Sequence, residues 1–489
     1  MGERANSVGS GGALLGIAKF YFLIASYATV LALTRLVDPS TFGSYSAVGR
    51  LIAVPNMVII YTLMFTVSRP MAAEYLRGTP SYDAIRGRGF KLAATLGGVV
   101  SLVFFLGAPW FAEALSEPSL AGPIRAVAPI SLVYALYAVN VGSINARRAF
   151  PRQAGLDVFM ATMKATLIVS AAALGLGLAA TLGGFTVASL LALSLSALWV
   201  RRVRPVVSPE STGSSASPPM LELAGALIVF TLLTNMLLSV DLFVLKHFAV
   251  NDVQRAAVGY YSGAQYVSQV PYSLLNAMSL LLFPLIATLH AEAREEEIRR
   301  YVTRAARVTL VMLCLMSTVA ASAASGVLEL LFPSTYLQAS TELRLLVIGY
   351  SGYSLTVTVA WMLNSSERTR VAVCIVVIPL VLAAVGAWLG AASLGSVGVA
   401  GAVFCAGAVA VVVSLLALRL IFGAGLGWAW SLRLAATVAS TAGAGSLWTP
   451  SGTLEILGKL FALTIVFGAV GVAIRVVSVA ELKELRARV

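Results

Sequence analysis

The sequence predicts an all-α protein that crosses the bilayer many times, and three observations carry that expectation. Only 11% of its 489 residues are charged while 59% are hydrophobic, whereas a soluble domain carries about 25% charged residues to cover its surface. Apolar runs of about 20 residues recur along the chain, the length a helix needs to cross a hydrocarbon core of about 30 Å. Charges gather in short stretches between those runs. The alternating pattern of a membrane β-barrel does not occur, and a helix satisfies all its own backbone polar groups inside lipid.

Fourteen spans are expected. Six fall at 12–34, 44–68, 90–112, 123–146, 155–177 and 179–200; the next six at 220–248, 257–289, 305–328, 343–364, 370–391 and 396–418; the last two at 430–448 and 453–476. With a cytoplasmic N-terminus, 25 of the 34 Lys and Arg fall in inner segments, six in outer segments, and Lys19, Arg50 and Lys164 within spans. This asymmetry places both termini inside. It also accounts for the net charge of +13 without nucleic acid as a partner. The first run contains Lys19 and exceeds signal-peptide length, so no cleavable signal is expected. Arg-rich, Ala-rich usage fits a prokaryotic plasma (inner) membrane. Cys314, Cys374 and Cys405 each lie in an apolar run with no pairing pattern. His247 and His290 stand alone near span ends, so neither metal nor cofactor is expected.

Residues 205–219 (PVVSPESTGSSASPP) form the only low-complexity segment and read as a cytoplasmic linker. It separates a six-helix bundle at 1–204 from a second at 220–420; residues 421–489 add two helices and a cytoplasmic tail. The halves repeat. Gly43-Ser44-Tyr45-Ser46 with Pro55 and Gly259-Tyr260-Tyr261-Ser262 with Pro271 share glycine, tyrosine, serine and proline at a constant offset of 216. Repeated bundles with a site between them are common among secondary transporters. Pro55 and Pro271 each remove a backbone hydrogen bond within a span. They are candidate hinges, or kinks tolerated without motion.

Three segments resemble the multidrug/oligosaccharidyl-lipid/polysaccharide (MOP) exporter superfamily, in particular its polysaccharide exporter, O-antigen flippase-like branch. One runs from Thr34 to Tyr45 (TRLVDPSTFGSY). The second comprises Asp241 through Lys246, Val258 to Ser262 and Phe283-Pro284. The third comprises Leu331-Phe332-Pro333, Tyr336, Ala339, Leu343 to Leu346 and Leu363-Asn364. The resemblance covers the first twelve spans. It implies two six-helix bundles forming a V around a central cavity with alternating access, and a cargo of lipid-linked oligosaccharide on polyprenyl pyrophosphate. Membrane lipids, a coupling proton or sodium ion and polysaccharide-assembly enzymes are the partners it suggests.

Ionisable residues inside spans are functional candidates because burying charge in lipid is costly. At about 1.5 Å per residue, Lys19 lies roughly 10 Å from the cytoplasmic side, Lys164 near the midplane and Arg50 roughly 9 Å from the outer side. Together they read as a cationic ladder suited to a pyrophosphate, with Arg50 offering a bidentate fork; snorkelling to the headgroups is the alternative. Only Asp157 stands against them in the first half. Asp241 is a candidate coupling site or charge partner for a cation; a fold-stabilising pair is the alternative. Tyr261, Gln265, Ser268, Tyr272 and Asn276 form one polar helical stripe, read either as the lining of a hydrated cavity or as interhelical hydrogen bonding.

The three basic residues argue against a multidrug antiporter, whose cationic substrates need acidic or aromatic cavities. A peptidoglycan-precursor (lipid II) flippase remains an alternative with the same mechanism. Glycosyltransferase or polymerase chemistry needs carboxylates or metal ligands on sizeable loops, and no GxxxxGK[ST] phosphate loop is present. The sequence therefore does not read as an enzyme.

Overall fold

In the computed structural model, described for residues 2–77, 81–147, 149–201, 220–275, 295–366, 368–450 and 452–476, every regular element is helical. The chain divides into two compact units: Met1–Asn235 with Lys246–Gly259, and Met236–Leu245 with Tyr260–Val489. The linker at 205–219 lies outside the described residues.

The first unit is built from α1 (Gly2–Leu36), α2 (Pro39–Arg77), α3 (Ser81–Leu106), the short α4 (Ala108–Ala114) and α5 (Ala121–Val127), α6 (Ile130–Ala146), α7 (Phe150–Ala173), α8 (Gly177–Arg201) and most of α9 (Met220–Leu237). Helix α1 lies along α7, α2 packs on α6 and α3, and α8 packs on α6 and α7. Ile59 and Leu63 of α2 meet Ala135, Ala138 and Val139 of α6 in a buried apolar cluster.

The start of α2 shows how the Asp38-Pro39-Ser40-Thr41 run acts. Asp38 is the N-cap: its carboxylate accepts the Thr41 backbone N–H at 2.9 Å and both the Ser40 and Thr41 hydroxyls. Pro39 occupies the first helical position, where no N–H is needed. Burial alone would raise the Asp38 carboxyl, but the hydrogen bonds from Ser40 and Thr41 outweigh it and hold the group below its ordinary value.

The second unit takes part of α10 (Val240–His247) and of α11 (Asp252–Ser268). It continues with α12 (Glu295–Ser322), α13 (Ala324–Leu331), α14 (Ser340–Ser365), α15 (Thr369–Phe422), α16 (Trp428–Ser446) and α17 (Thr453–Ala473). Helix α14 is buried along nearly its whole length and packs on α15. Glycines allow their backbones to meet. A Cβ on Gly349 would stand 2.6 Å from the Val403 carbonyl oxygen, and one on Gly352 would strike the Gly407 carbonyl. In lipid, where apolar burial does not drive helices together, such close backbone packing is a main source of association.

Ten described helices are long and apolar enough to cross a membrane, or eleven if Ile228–Leu237 and Val240–His247, bent by 52°, form one broken span. The fourteen spans expected from the sequence are not reached by this test. One reason is visible in α15, whose 54 residues count once although Gly395 (φ 60, ψ −136) turns the chain between two limbs. Gly390 and Gly398, on either side of that turn, lie backbone to backbone. Another is that residues 276–289 of the span expected at 257–289 lie outside the described residues.

The candidate hinge prolines differ. Helix α2 runs through Pro55 without a break. In the second half, helix α11 ends at Ser268, Gln269 is in a turn, and 270–275 is helical again around buried Pro271.

Replacing Gly352 by Leu is expected to lower the thermal midpoint of the detergent-purified protein, by about 1–3 kcal/mol of overpacking. Gly401→Leu, at a position where a Cβ meets nothing within 4 Å, is expected to leave the midpoint within about 0.5 kcal/mol of wild type. Equal shifts would contradict the role given to the α14–α15 contact.

Candidate functional site

Two of the candidate residues of the first unit, Lys19 and Lys164, meet at α7. Gln153, Asp157 and Met160 are buried positions on it, spaced four and three apart so that they share a side. Lys164 lies seven residues from Asp157, two turns along the same face, or roughly 10 Å. At the lower turn, Lys19 of α1 pairs with Asp157 at 2.9 Å. The Asp157 side chain is 11% exposed and that of Lys19 61%, so the pair joins a buried acid to a base that reaches outward.

Lys164 is placed differently. Its ammonium sits 4.2 Å from the centre of the Phe185 ring on α8, and among the described residues no carboxylate pairs with it. Phe185 in turn meets Tyr134 of α6 edge-on at 5.7 Å, and Tyr134 meets Tyr137 at 6.1 Å. The hydroxyl of Tyr137 and Oε1 of Gln153 are buried with no hydrogen-bond partner. A cation held over a π face gains roughly 0.5–2 kcal/mol and keeps its three N–H donors for another acceptor. Arg50 is half-buried on α2.

A second polar cluster lies within the second unit around Asp241, which is 1% exposed. The Tyr261 hydroxyl donates to Oδ2 at 2.7 Å and the Tyr350 hydroxyl to the same oxygen at 2.9 Å. Gln265 Nε2 donates to both oxygens, at 3.1 and 3.0 Å. Neutral donors thus offset much of the cost of burying the carboxylate. Of the stripe on α11, Tyr261, Gln265 and Ser268 are fully buried, and Ser268 donates to the Ala264 carbonyl of its own helix. Tyr272 is half-buried, and Asn276 lies outside the described residues. Tyr350, from α14, completes the cage.

The sequence reading missed a third cluster, within the first unit. Lys246, at the end of α10 and fully buried, reaches Glu117 Oε2 at 2.5 Å and the Ser44 hydroxyl at 3.0 Å. Ser44 and Ser119 donate to the two carboxylate oxygens. Local backbone sets this up. Ser116 takes a left-handed conformation (φ 53) after α4 and donates its hydroxyl to the His247 carbonyl, while His247 Nδ1 lies 2.7 Å from the Ala114 carbonyl oxygen. Burial raises the Glu117 carboxyl, but the Lys246 hydrogen bond and charge, with Ser44 and Ser119, hold it below its ordinary value. A readable signal existed: a base buried at a span end, as Lys246 is, needs an acid. Beside this cluster Gly43 and Gly259, the repeat-related glycines, touch; a Cβ on Gly43 would stand 2.8 Å from the Gly259 nitrogen.

A protein family described as "Polysaccharide biosynthesis protein" matches residues 32–341, well over half the chain. The chain belongs to this family. No curated protein matches the sequence. Among solved structures, the lipid II flippase MurJ in an inward-closed conformation superposes with a TM-score of 0.72 at 14% identity, over 94% of this chain and 98% of that one. An inward-facing MATE multidrug resistance transporter of the MOP superfamily gives 0.64 at 14% identity, over 82% and 94%. A MOP superfamily transporter from Pyrococcus furiosus, whose binding pocket is described as of reverse polarity, gives 0.63 at 16% identity, over 84% and 95%. The family member therefore has the fold of the MOP exporters and is a multi-pass membrane protein.

The Lys246–Glu117 pair gives two expectations. Because the folded Glu117 carboxyl is depressed, its stabilising contribution is complete above the ordinary glutamate range near 4.3 and is lost as pH falls through the folded value. Melting of wild type from pH 7 down to 3.5 should therefore lose more stability than melting of Glu117→Gln. Glu117→Gln, which strands a buried ammonium, should also be less stable at pH 7 than Glu117→Leu with Lys246→Met. The opposite order would make the pair dispensable.

Proposed function

We propose that this protein is a flippase that carries a lipid-linked oligosaccharide, borne on polyprenyl pyrophosphate, across the plasma membrane by alternating access for cell-surface polysaccharide assembly. The observation that carries the reading is Lys164, an ammonium inside a membrane helix with a π face beside it and no described carboxylate partner. Such a group is costly in lipid and suits an anion that arrives and leaves. Arg50 supplies a guanidinium fork for a second phosphate oxygen, and Lys19, though paired with Asp157, reaches outward. The family and fold favour the same class of cargo.

Asp241 is the proposed coupling residue: a carboxylate already held by Tyr261, Gln265 and Tyr350 can exchange a proton or sodium ion without rebuilding its surroundings. Tyr272 and Asn276 extend the same stripe toward sugar hydroxyls, and Pro55 and Pro271 are the proposed bending points, the latter supported by the helix break at Gln269. The positive-inside asymmetry supports cytoplasmic termini, and polysaccharide-assembly enzymes are proposed partners. The likeness to the lipid II flippase MurJ keeps a peptidoglycan precursor as a second cargo. Three span cations make an organic-cation substrate the weaker reading.

In proteoliposomes carrying a polyprenyl-pyrophosphate oligosaccharide, Lys164→Ala and Arg50→Ala should each lower translocation at least tenfold, about 1.4 kcal/mol, while Lys164→Arg retains most of it. Organic cations should not compete. Asp241→Asn should retain cargo binding but make flipping independent of an imposed proton or sodium gradient. Full flipping by Lys164→Ala, in protein that elutes as wild type, would remove the cationic site from the mechanism.

A further inference from the structure

A groove of about 1030 Å³ opens on the second unit between α12, α17 and the α15–α16 turn. One end is basic. Arg299, Arg300, Arg304 and Arg307 of α12 line it, spaced so that they share a side of the helix. Farther along the same side, Val311 and Leu315 face Phe467 of α17. The charged stretch is roughly 12 Å long and the apolar stretch from Val308 to Leu315 roughly 10 Å, at about 1.5 Å per residue.

The opposite wall is held low by glycine. A Cβ on Gly468 would meet nothing within 4 Å, and one on Gly471 only the Thr437 methyl at 3.9 Å. At the basic end, Gly423 takes a left-handed φ of 61° to close α15, and a Cβ there would stand 3.4 Å from Cδ of Arg299. Arg307 is fixed from two sides, donating to the Leu426 carbonyl at 3.3 Å and lying 5.5 Å over the Trp430 ring. Arg299 and Arg300 share one carboxylate, Glu296, at 3.5 and 3.2 Å, with side chains 54% and 76% exposed. The lining of the groove holds these four arginines and no carboxylate among the described residues.

We propose that this groove binds an anionic glycerophospholipid, its phosphate among the arginines and an acyl chain along the apolar wall. Basic recesses between membrane helices on the cytoplasmic side suit anionic headgroups, and the arginine distribution puts this end on that side. Guanidinium groups bind phosphate oxygens in pairs. The two-part lining fits a molecule whose charge and hydrocarbon are joined within a few bonds. A resident lipid is favoured over the cargo because the cations proposed for the cargo, Lys19, Arg50 and Lys164, all belong to the first unit. The choice of lipid over cargo rests on the flippase reading; the basic and apolar lining of the groove does not.

The test is native mass spectrometry of the full-length protein in mixed micelles with phosphatidylglycerol or phosphatidylethanolamine. Wild type should retain one phosphatidylglycerol at least fivefold more often than phosphatidylethanolamine. Arg300→Gln with Arg304→Gln should abolish that preference. Gly468→Leu, whose Cβ meets nothing within 4 Å and whose side chain would enter the groove, should lower retention of both lipids. If the double variant elutes abnormally, Arg300→Gln alone, altering a largely exposed side chain, should still lower the preference at least twofold. Equal retention of the two lipids by wild type would overturn the proposal, as would unchanged retention in Gly468→Leu. Displacement of phosphatidylglycerol by equimolar polyprenyl phosphate would assign the groove to the cargo and overturn it as well.

Discussion

Moving an ammonium or carboxylate from water into hydrocarbon costs several kcal/mol unless something in the protein answers the charge, and the polar groups of this chain are arranged around that cost. Lys246, with no exposed surface, is answered by Glu117 and the Ser44 hydroxyl. Asp157 is answered by Lys19. Asp241 is held by two phenols and an amide. Lys164 has the Phe185 ring. These four solutions differ in strength, and the differences separate structural charge from charge available for work. A short ion pair with its remaining lone pairs occupied, as at Glu117, resists exchange. An ammonium over a ring, with its donors free of carboxylates, does not.

The same constraint explains the glycines. Polar groups cannot be spent freely on joining helices inside lipid, so close backbone approach supplies the contacts. Gly349 and Gly352 bring α14 against α15, Gly390 and Gly398 close the turn at Gly395, and Gly43 lies against Gly259. The α14–α15 contact matters for chemistry because Tyr350 lies between Gly349 and Gly352 in sequence and donates to Asp241. A displaced α14 would take one donor out of the cage.

The helical class and most span positions were legible because hydropathy and the Lys/Arg distribution are local or additive properties of sequence. The glycines at 43 and 259, singled out by their constant offset, have a physical cause: they touch, so each must lack a side chain. The Asp38 cap could be read from the order Asp-Pro-Ser-Thr. Ion pairs were not legible. Lys246 and Glu117 are 129 residues apart, and the turn that aims Glu117 depends on a left-handed Ser116, for which serine gives no signal. The stripe on α11 was visible by its period. Which partner it serves was not, because Asp241 and Tyr350 reach it from other helices.

The division of labour between acid and base has a further consequence. An anionic cargo must be bound strongly enough to enter and weakly enough to leave, so a binding cation fully neutralised by a carboxylate would have to break that pair at every cycle, at several kcal/mol in a site of low dielectric. Lys164 avoids this by resting on a ring whose attraction, roughly 0.5–2 kcal/mol, is small beside a charge-assisted bond to phosphate. The reverse holds for a coupling site, where the charge must persist while its counter-ion changes. Neutral donors of the kind that hold Asp241, the Tyr261 and Tyr350 hydroxyls and the Gln265 amide, suit the coupling role proposed for it. Lys164 on its ring thus suits a role that requires reversible occupancy, while the Lys246–Glu117 pair has the properties of a fastener.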